Sequence, residues 1–365
     1  MPRDKMLRLG SFGIPAWRTH ILEKYHILLY NFTAQIGHGS TNLDMEGYFP
    51  MTDTQPATAR QTTTMTDVGF TEQVIIVTGA GGGLGRAHAI ELAHHGARVV
   101  VNDLGVNKDG TGSSNTPAED TVKMILELGG EAVIDTNSVA TIEGGAAIVQ
   151  TAIDAFGRID GVVNNAGILR DGMFHNASMQ DINDVLGVHL HGMFHVTHAA
   201  WPHMREQGFG RVVFTTSASG MFGNAGQVNY GAAKMGLVGA MRALSQEGAR
   251  KGIFVNAIAP VGDTRMTQGL GFPDELMAMV GPETVSPIVT ALMSPACTVT
   301  GRIFSIVGPH IREAKMVETT GWTSPEPITP ISFLEHIEKI GEDSHLAAHG
   351  SMNEEVMAGA AAIMG

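Results

Sequence analysis

Tyr230 and Lys234 lie four residues apart, and Ser217 precedes the tyrosine by thirteen. On a helix, a separation of four puts two side chains on one face. An unperturbed phenol, with a pKa of about 10, is a poor acid–base group near neutrality. A lysine ammonium beside it stabilises the phenolate and brings its working pKa toward the physiological range. Ser217 ends a buried strand, where its hydroxyl can hold a substrate oxygen while Tyr230 takes a proton from it or returns one. That is acid–base chemistry on an alcohol or a carbonyl. A Tyr-x-x-x-Lys pair alone is common on solvated helices, so its meaning depends on what surrounds it.

Far upstream, Gln73-Val-Ile-Ile-Val-Thr78 is an apolar run of strand length that leads into Thr78-Gly-Ala-Gly-Gly-Gly-Leu-Gly85 and then a helical stretch, 84–95. The glycines Gly79, Gly81, Gly83 and Gly85, with Leu84, therefore stand where amide N–H groups open a helix. Those donors and the helix dipole favour a pyrophosphate, and glycines let the backbone approach it closely. Leu84 falls where the third glycine of G-x-G-x-x-G would stand; the longer spacing Gly79-x-x-x-Gly83-x-Gly85 fits instead. Asp103 closes the second strand, near the ~20-residue offset of the acidic residue that holds an adenosine ribose. Its carboxylate accepts from ribose hydroxyls and repels a 2′-phosphate, and no Arg or Lys stands at Gly82, Gly83 or Leu104. The electrostatics favour NAD over NADP.

The elements that position these residues repeat regularly. Apolar runs at 73–78, 97–102, 132–135, 161–164, 211–216, 253–258 and finally 303–307 read as strands. Helix-length stretches at 118–128, 142–156, 182–206 and 228–251 lie between them. Strands apolar on both faces, alternating with helices, predict a parallel sheet covered on both sides: an α/β, doubly wound Rossmann domain over 65–310. Residues 1–64 turn polar and Thr-rich and read as a peripheral, disordered extension. After Pro309 the rhythm is lost; 311–365 reads as a C-terminal extension with a helix near 331–340, suited to cover the substrate or to contact another subunit.

Bulk properties narrow the function. The chain has 365 residues and a net charge of −13, which argues against a nucleic-acid partner. Cys297 is its single cysteine, which excludes an internal disulfide and a cysteine metal site and suits a reducing compartment. No apolar run approaches the roughly 20 residues of a membrane span.

In order and spacing, the glycine turn, Asn164-Asn-Ala-Gly167, Ser217, Tyr230 and Lys234 resemble the short-chain dehydrogenase/reductase family. Val101-Asn-Asp-Leu-Gly105, Asn164-Asn-Ala-Gly-Ile-Leu-Arg-Asp171, Val188-His-Leu-His-Gly192, Ser217-Ala-Ser-Gly220 and Gly223-Asn-Ala-Gly-Gln-Val-Asn-Tyr230 resemble one branch of it. That branch holds the (3R)-hydroxyacyl-CoA dehydrogenase domains of peroxisomal multifunctional enzymes type 2 and their single-domain bacterial relatives.

The resemblance implies that Tyr230 and Lys234 also bind cofactor, Lys234 through the nicotinamide ribose. It places Asn165, Ala166 and Gly167 beside the adenosine part and Ser138 and Val139 against adenine; Asn137 stands where relatives often carry Asp. His189 occupies a fourth catalytic position that usually holds Asn, and Pro260-Val-Gly-Asp-Thr-Arg-Met-Thr267 resembles the loop that lies against the nicotinamide. The implied substrate is a 3-hydroxyacyl-CoA, in lipid metabolism, with Arg170, Arg205 and Arg265 as the available cations for CoA. Alternatives are a hydroxysteroid or bulky secondary alcohol, or a protein that binds NAD without turnover. The resemblance implies a homodimer or homotetramer, and with no peroxisomal address at Ile363-Met-Gly365, a cytoplasmic one. His191, His195 and His198 share a helical face; with no carboxylate completing a metal set, they read as packed or interface residues.

Overall fold

A computed structural model describes residues 69–112, 114–262 and 274–364. Residues 1–64 lie outside these, as do most of the 260–267 loop and Arg265. The elements in order are β1 (Val74–Thr78), α1 (Gly83–His94), β2 (Arg98–Asn102), α2 (Thr116–Glu127), β3 (Glu131–Asp135), α3 (Ile142–Phe156) and β4 (Gly161–Asn164). There follow α4 (Met179–Leu186), α5 (Gly192–Gln207), β5 (Gly210–Thr215), α6 (Ala218–Phe222), α7 (Val228–Ala249) and β6 (Ile253–Val261). The last are α8 (Ser286–Met293), β7 (Ile303–Val307), β8 (His310–Ala314), α9 (Pro330–Ile340) and α10 (Met352–Met364).

One eight-stranded sheet runs β3-β2-β1-β4-β5-β6-β7-β8, parallel except for the last pair. Side chains alternate across a strand, and each strand here feeds two cores. Val74 and Ile76 join Val100, Val162, Phe214 and Val255 under α3, α5 and α7. Ile75 and Val77 join Val99, Val101, Val163 and Ile258 under α1, α2 and α8. Burial on both faces is why the strands read as unbroken apolar runs. The order reverses between β1 and β4, and the crevice beyond the carboxyl ends of those strands is where such sheets bind ligands.

Two expectations change. The 303–307 strand is not the last in the sheet: β8 returns antiparallel beside it, pairing Ile303 with Ala314 and Val307 with His310. The stretch 182–206 is not one helix. A single wide turn, Gly187–His191, separates α4 from α5, with the Gly192 amide bonded back to the Gly187 carbonyl five residues away. Such π turns insert one residue and re-aim the side chains they contain.

Away from the crevice, Arg211 on β5 is buried with no carboxylate partner among the described residues. Its guanidinium donates to the carbonyls of Gly210 (2.8 Å), Gly252 (3.0 Å), Ser294 (3.1 Å), Pro295 (3.2 Å) and Cys297 (3.3 Å). Phe209 and Phe254 flank it at 4.3 and 4.4 Å. Five carbonyls from three chain segments converge on one side chain, so Arg211→Met is expected to cost about 3–5 kcal/mol, since buried acceptors would be left unpaired. Urea unfolding measures it; a loss below about 1 kcal/mol would contradict the role.

Candidate active site

The first half of the site is built on the end of β1. Thr78 Oγ1 donates to the Val163 carbonyl at 3.3 Å and accepts from the amides of Asn165 and Ala166 at 3.0 and 3.1 Å. The Asn165 side-chain amide, through Nδ2, donates back to the carbonyls of Thr78 and Gly79. This strap leaves no room beside the turn. A Cβ on Gly79, whose φ is +66°, would stand 2.8 Å from the Ala166 Cα, and one on Gly85 would collide with the Gly79 carbonyl. Helix α1 then starts at Gly83 with no side-chain cap and no acidic residue in its first turn. Its free amide donors and dipole are left for an anion.

Asp103 closes the turn from the other side. One carboxylate oxygen accepts from the Gly81 amide at 2.7 Å, the other from the Gly105 amide at 2.6 Å. Arg86 braces the same turn by donating to the carbonyls of Gly81 and Pro117 and to Thr121 Oγ1.

A cleft of about 560 Å³ opens above these groups. Gly79, Gly83, Leu84, Asp103, Ser138, Val139, Asn165, Ala166 and Gly167 all line it. Gly81 and Gly85 shape the turn without lining the cleft. The cradle a Cβ would fill, the uncapped helix and the acid at the end of β2 together fit a dinucleotide. Asn137, Lys108 and Arg170 also line the cleft, and of these Lys108 carries no signal that marks it in the sequence. Lys108 arrives on the loop after β2, where its carbonyl accepts from the Leu169 amide at 3.0 Å.

The second half lies on β5 and α7. Ser217 caps α6, accepting from the Ser219 amide at 3.2 Å, with its hydroxyl close enough to the Tyr230 phenol to ease its ionisation. Lys234, one turn on, is buried; its ammonium donates to the Thr215 carbonyl at 2.5 Å and lies 5.4 Å from the Tyr230 ring centroid. The Lys234 carbonyl accepts from Thr216 Oγ1 at 2.6 Å, tying the helix to the strand end. Ser217, Tyr230 and Lys234 therefore meet as the spacing predicts.

Their electrostatics differ from the expectation that Lys234 pulls the phenol down. Burial pushes the Tyr230 phenol above its ordinary value, the nearby Ser217 hydroxyl opposes that, and the Asp171 carboxylate adds to the rise. Burial also lowers Lys234 from 10.5 to about 7. Without a cofactor, desolvation outweighs the mutual effect of the two groups.

His189, in the wide turn, is buried against Tyr230, ring edge to face at 5.2 Å between centroids. Its Nε2 lies 2.8 Å from the Ile168 carbonyl and 3.1 Å from the Ile168 amide. Desolvation, then the Lys234 charge, hold it well below 6.5. With Nε2 held to the Ile168 backbone, the imidazole braces the Gly167–Ile168 loop; a Cβ on Gly167 would strike its ring. His189 and Lys234 line a small cavity that shares Val139, Ala166 and Val188 with the larger cleft. The two halves of the site thus adjoin.

Other candidates are committed elsewhere. His195 Nδ1 bonds the Val139 carbonyl at 2.9 Å, while His191 and His198 are exposed. Among the described residues no group of His, Cys, Asp and Glu is arranged to hold a metal, and no helix is long and apolar enough to cross a membrane. Arg170 faces Asp181 and Asp184 at 3.7 and 3.6 Å, so its charge is already shared, and Arg205 points to solvent on α5.

A family model described as short chain dehydrogenase matches residues 73–271. The chain belongs to the short-chain dehydrogenase family. A short-chain type dehydrogenase/reductase of Mycobacterium tuberculosis is 49% identical over 259 residues, 71% of this chain and 90% of that one. The peroxisomal multifunctional enzyme type 2 of Mus musculus is 42% identical over 288 residues, 78% of this chain but only 39% of the longer enzyme. Among solved structures, a short chain dehydrogenase from Mycobacterium avium superposes with a TM-score of 0.63 at 40% identity, covering 74% of this chain and 95% of that one. A 7α-hydroxysteroid dehydrogenase, solved with NADH and 7-oxo glycochenodeoxycholic acid, gives 0.60 at 27% identity, covering 67% and 96%. As a short-chain dehydrogenase, the protein is an oxidoreductase acting on CH–OH groups, and its likeness includes the dehydrogenase part of the multifunctional enzymes.

Proposed function

We propose that the protein is an NAD-dependent secondary-alcohol dehydrogenase whose substrate is a 3-hydroxyacyl-CoA. The observation that carries the reaction is the convergence of Ser217, Tyr230 and buried Lys234, next to a cleft lined by the glycine turn. NAD, when bound, takes up the hydride from the carbinol carbon and brings a cationic ring next to the phenol. Ser217 Oγ hydrogen-bonds the substrate oxygen. Tyr230 Oη receives the hydroxyl proton in oxidation and returns it in reduction. Lys234 stabilises the phenolate and binds the ribose; the added cationic ring is what reverses the upward pull of burial on Tyr230. His189 keeps the loop under Tyr230 in place.

Asp103 supports NAD over NADP, because a 2′-phosphate would meet its carboxylate. Asp103→Ser is expected to narrow the NAD preference by at least about tenfold, read as the ratio of kcat/KM for the two cofactors. An unchanged ratio would contradict the assignment. The acyl-CoA reading rests on the likeness to the multifunctional enzymes, and lipid metabolism follows from it. A hydroxysteroid or bulky alcohol is the second reading, favoured by the 7α-hydroxysteroid dehydrogenase likeness. NADH appearance over a panel of 3-hydroxyacyl-CoA and steroid alcohols separates them; turnover of steroids alone would overturn the first. We also propose residues 65–310, with β8 completing the sheet to Ala314, as the dehydrogenase domain, a homodimer or homotetramer, and a cytoplasmic location, in keeping with the single buried Cys297. The 311–365 extension, with Ile331, Leu334, Val356 and Met357 exposed, suits a subunit contact or substrate cover.

A further inference from the structure

Asp135, at the end of β3, is buried and its carboxylate accepts four hydrogen bonds. Oδ1 accepts from Asn102 Nδ2 at 2.7 Å and from the Asn137 amide N–H at 2.9 Å. Oδ2 accepts from Asn137 Nδ2 and from Thr151 Oγ1, both at 2.8 Å. Asn102 Nδ2 also donates to the Asn137 carbonyl at 2.9 Å, which fixes the backbone at that point. The side-chain amide of Asn137 has one donor end and one acceptor end, and a carboxylate can only accept. The –NH2 end must therefore face Asp135, so the orientation follows from chemistry. The carbonyl oxygen is left on the opposite side. It accepts no hydrogen bond among the described residues, and Asn137 lines the cleft with Ser138 and Val139, the residues that follow it.

We propose that Asp135 is a positioning residue that locks the Asn137 carbonyl toward the cleft, so that the site selects a purine with a 6-amino group over one with a 6-oxo group. The proposal rests on the NAD reading: with the diphosphate at the glycine turn and the ribose at Asp103, the base reaches the wall formed by Leu104, Asn137 and Val139. A locked carbonyl accepts from the exocyclic amine of adenine and faces the oxygen of hypoxanthine acceptor to acceptor. An amide free to turn would accept from the first and donate to the second, and so would not tell them apart. Selectivity here comes from the buried acid, which itself need not touch the base.

Titration of the full chain with NAD and with nicotinamide hypoxanthine dinucleotide, followed by quenching of protein fluorescence or by calorimetry, tests this. The wild type is expected to bind NAD at least about tenfold more tightly, the cost of one mispaired polar contact. In Asn137→Ala that ratio should fall to about twofold. In Asp135→Asn, where the amide is released, it should also fall, with NAD weakened and the hypoxanthine analogue held or improved. Loss of a hydrogen-bonded structure alone would weaken both dinucleotides and leave their ratio in place. Equal binding of both by the wild type overturns the proposal alone, as does an undiminished ratio in Asn137→Ala or in folded Asp135→Asn. Should Asp135→Asn fail to fold, the wild-type and Asn137→Ala ratios still decide. Binding of neither dinucleotide by the wild type would overturn the NAD reading itself.

Discussion

Tyr230→Phe is expected to lower NADH formation by about 10²- to 10⁴-fold, the usual worth of a positioned acid–base group, while NAD binding stays within a few-fold of wild type. The substitution removes one hydroxyl. Its partner Ser217 keeps the Ser219 amide, and the ring keeps its edge-to-face contact with His189. Stopped-flow NADH absorbance gives the first quantity and a fluorescence titration the second. Undiminished turnover would remove Tyr230 from the mechanism; a parallel collapse of NAD binding would make it structural. The pH dependence has a fixed sign. Alcohol oxidation needs the unprotonated phenol, and burial and Asp171 both push that group up. The rate at saturating NAD should rise with pH, its limb lying lower than in the free protein because the bound cationic ring favours the phenolate.

The second large effect is on stability in acid. His88, on α1, is fully buried; its Nδ1 lies 2.9 Å from Ser286 Oγ on α8 and its Nε2 has no partner among the described residues. Burial lowers it from 6.5 to about 3. Between those values the unfolded chain binds a proton that the folded chain does not. Stability from this group is complete above pH 6.5 and declines as pH falls, by roughly 1.4 kcal/mol for each pH unit. Urea unfolding at several pH values from 7 to 4 measures the slope, and His88→Gln should flatten it by about that amount, whatever the carboxylates contribute to both proteins. Identical slopes would show that α1 and α8 part, or admit water, before the imidazole is protonated.

Much of this was legible in the chain because each signal is local. Thr78 and the glycines follow a buried strand directly, Asp103 ends the next one, and Tyr230 and Lys234 sit one helical turn apart. What escaped depends on partners distant in sequence or on a one-residue irregularity. Asn137 reads as a weakened version of an acid until Asp135 and Thr151, sixteen residues apart, are seen to orient it. The wide turn at Gly187–His191 keeps helical periodicity on either side, so an apolar pattern cannot reveal it. Yet that turn seats His189 against Ile168. The directions of the Tyr230 and Lys234 shifts were likewise hidden, since spacing encodes proximity but not desolvation. β8 was missed because its residues, His310 to Glu313, are exposed and, Ile311 apart, polar, unlike the runs buried on both faces.

That last strand bears on where the protein can be cut. β7 carries Ile303 and Ile306 into the core and would, without β8, present a row of unpaired amides and carbonyls at the sheet's rim. β8 takes up that row and turns Arg312 and Glu313 outward, with Glu313 in reach of Arg302 at 3.5 Å. Charged side chains on a short rim strand discourage sheet-to-sheet association. A chain shortened to residue 309 keeps every group named in the chemistry and loses its safeguard against self-association; shortened to residue 316, it keeps both. The practical end of the catalytic unit lies past its last catalytic group, at the strand that covers the rim of β7.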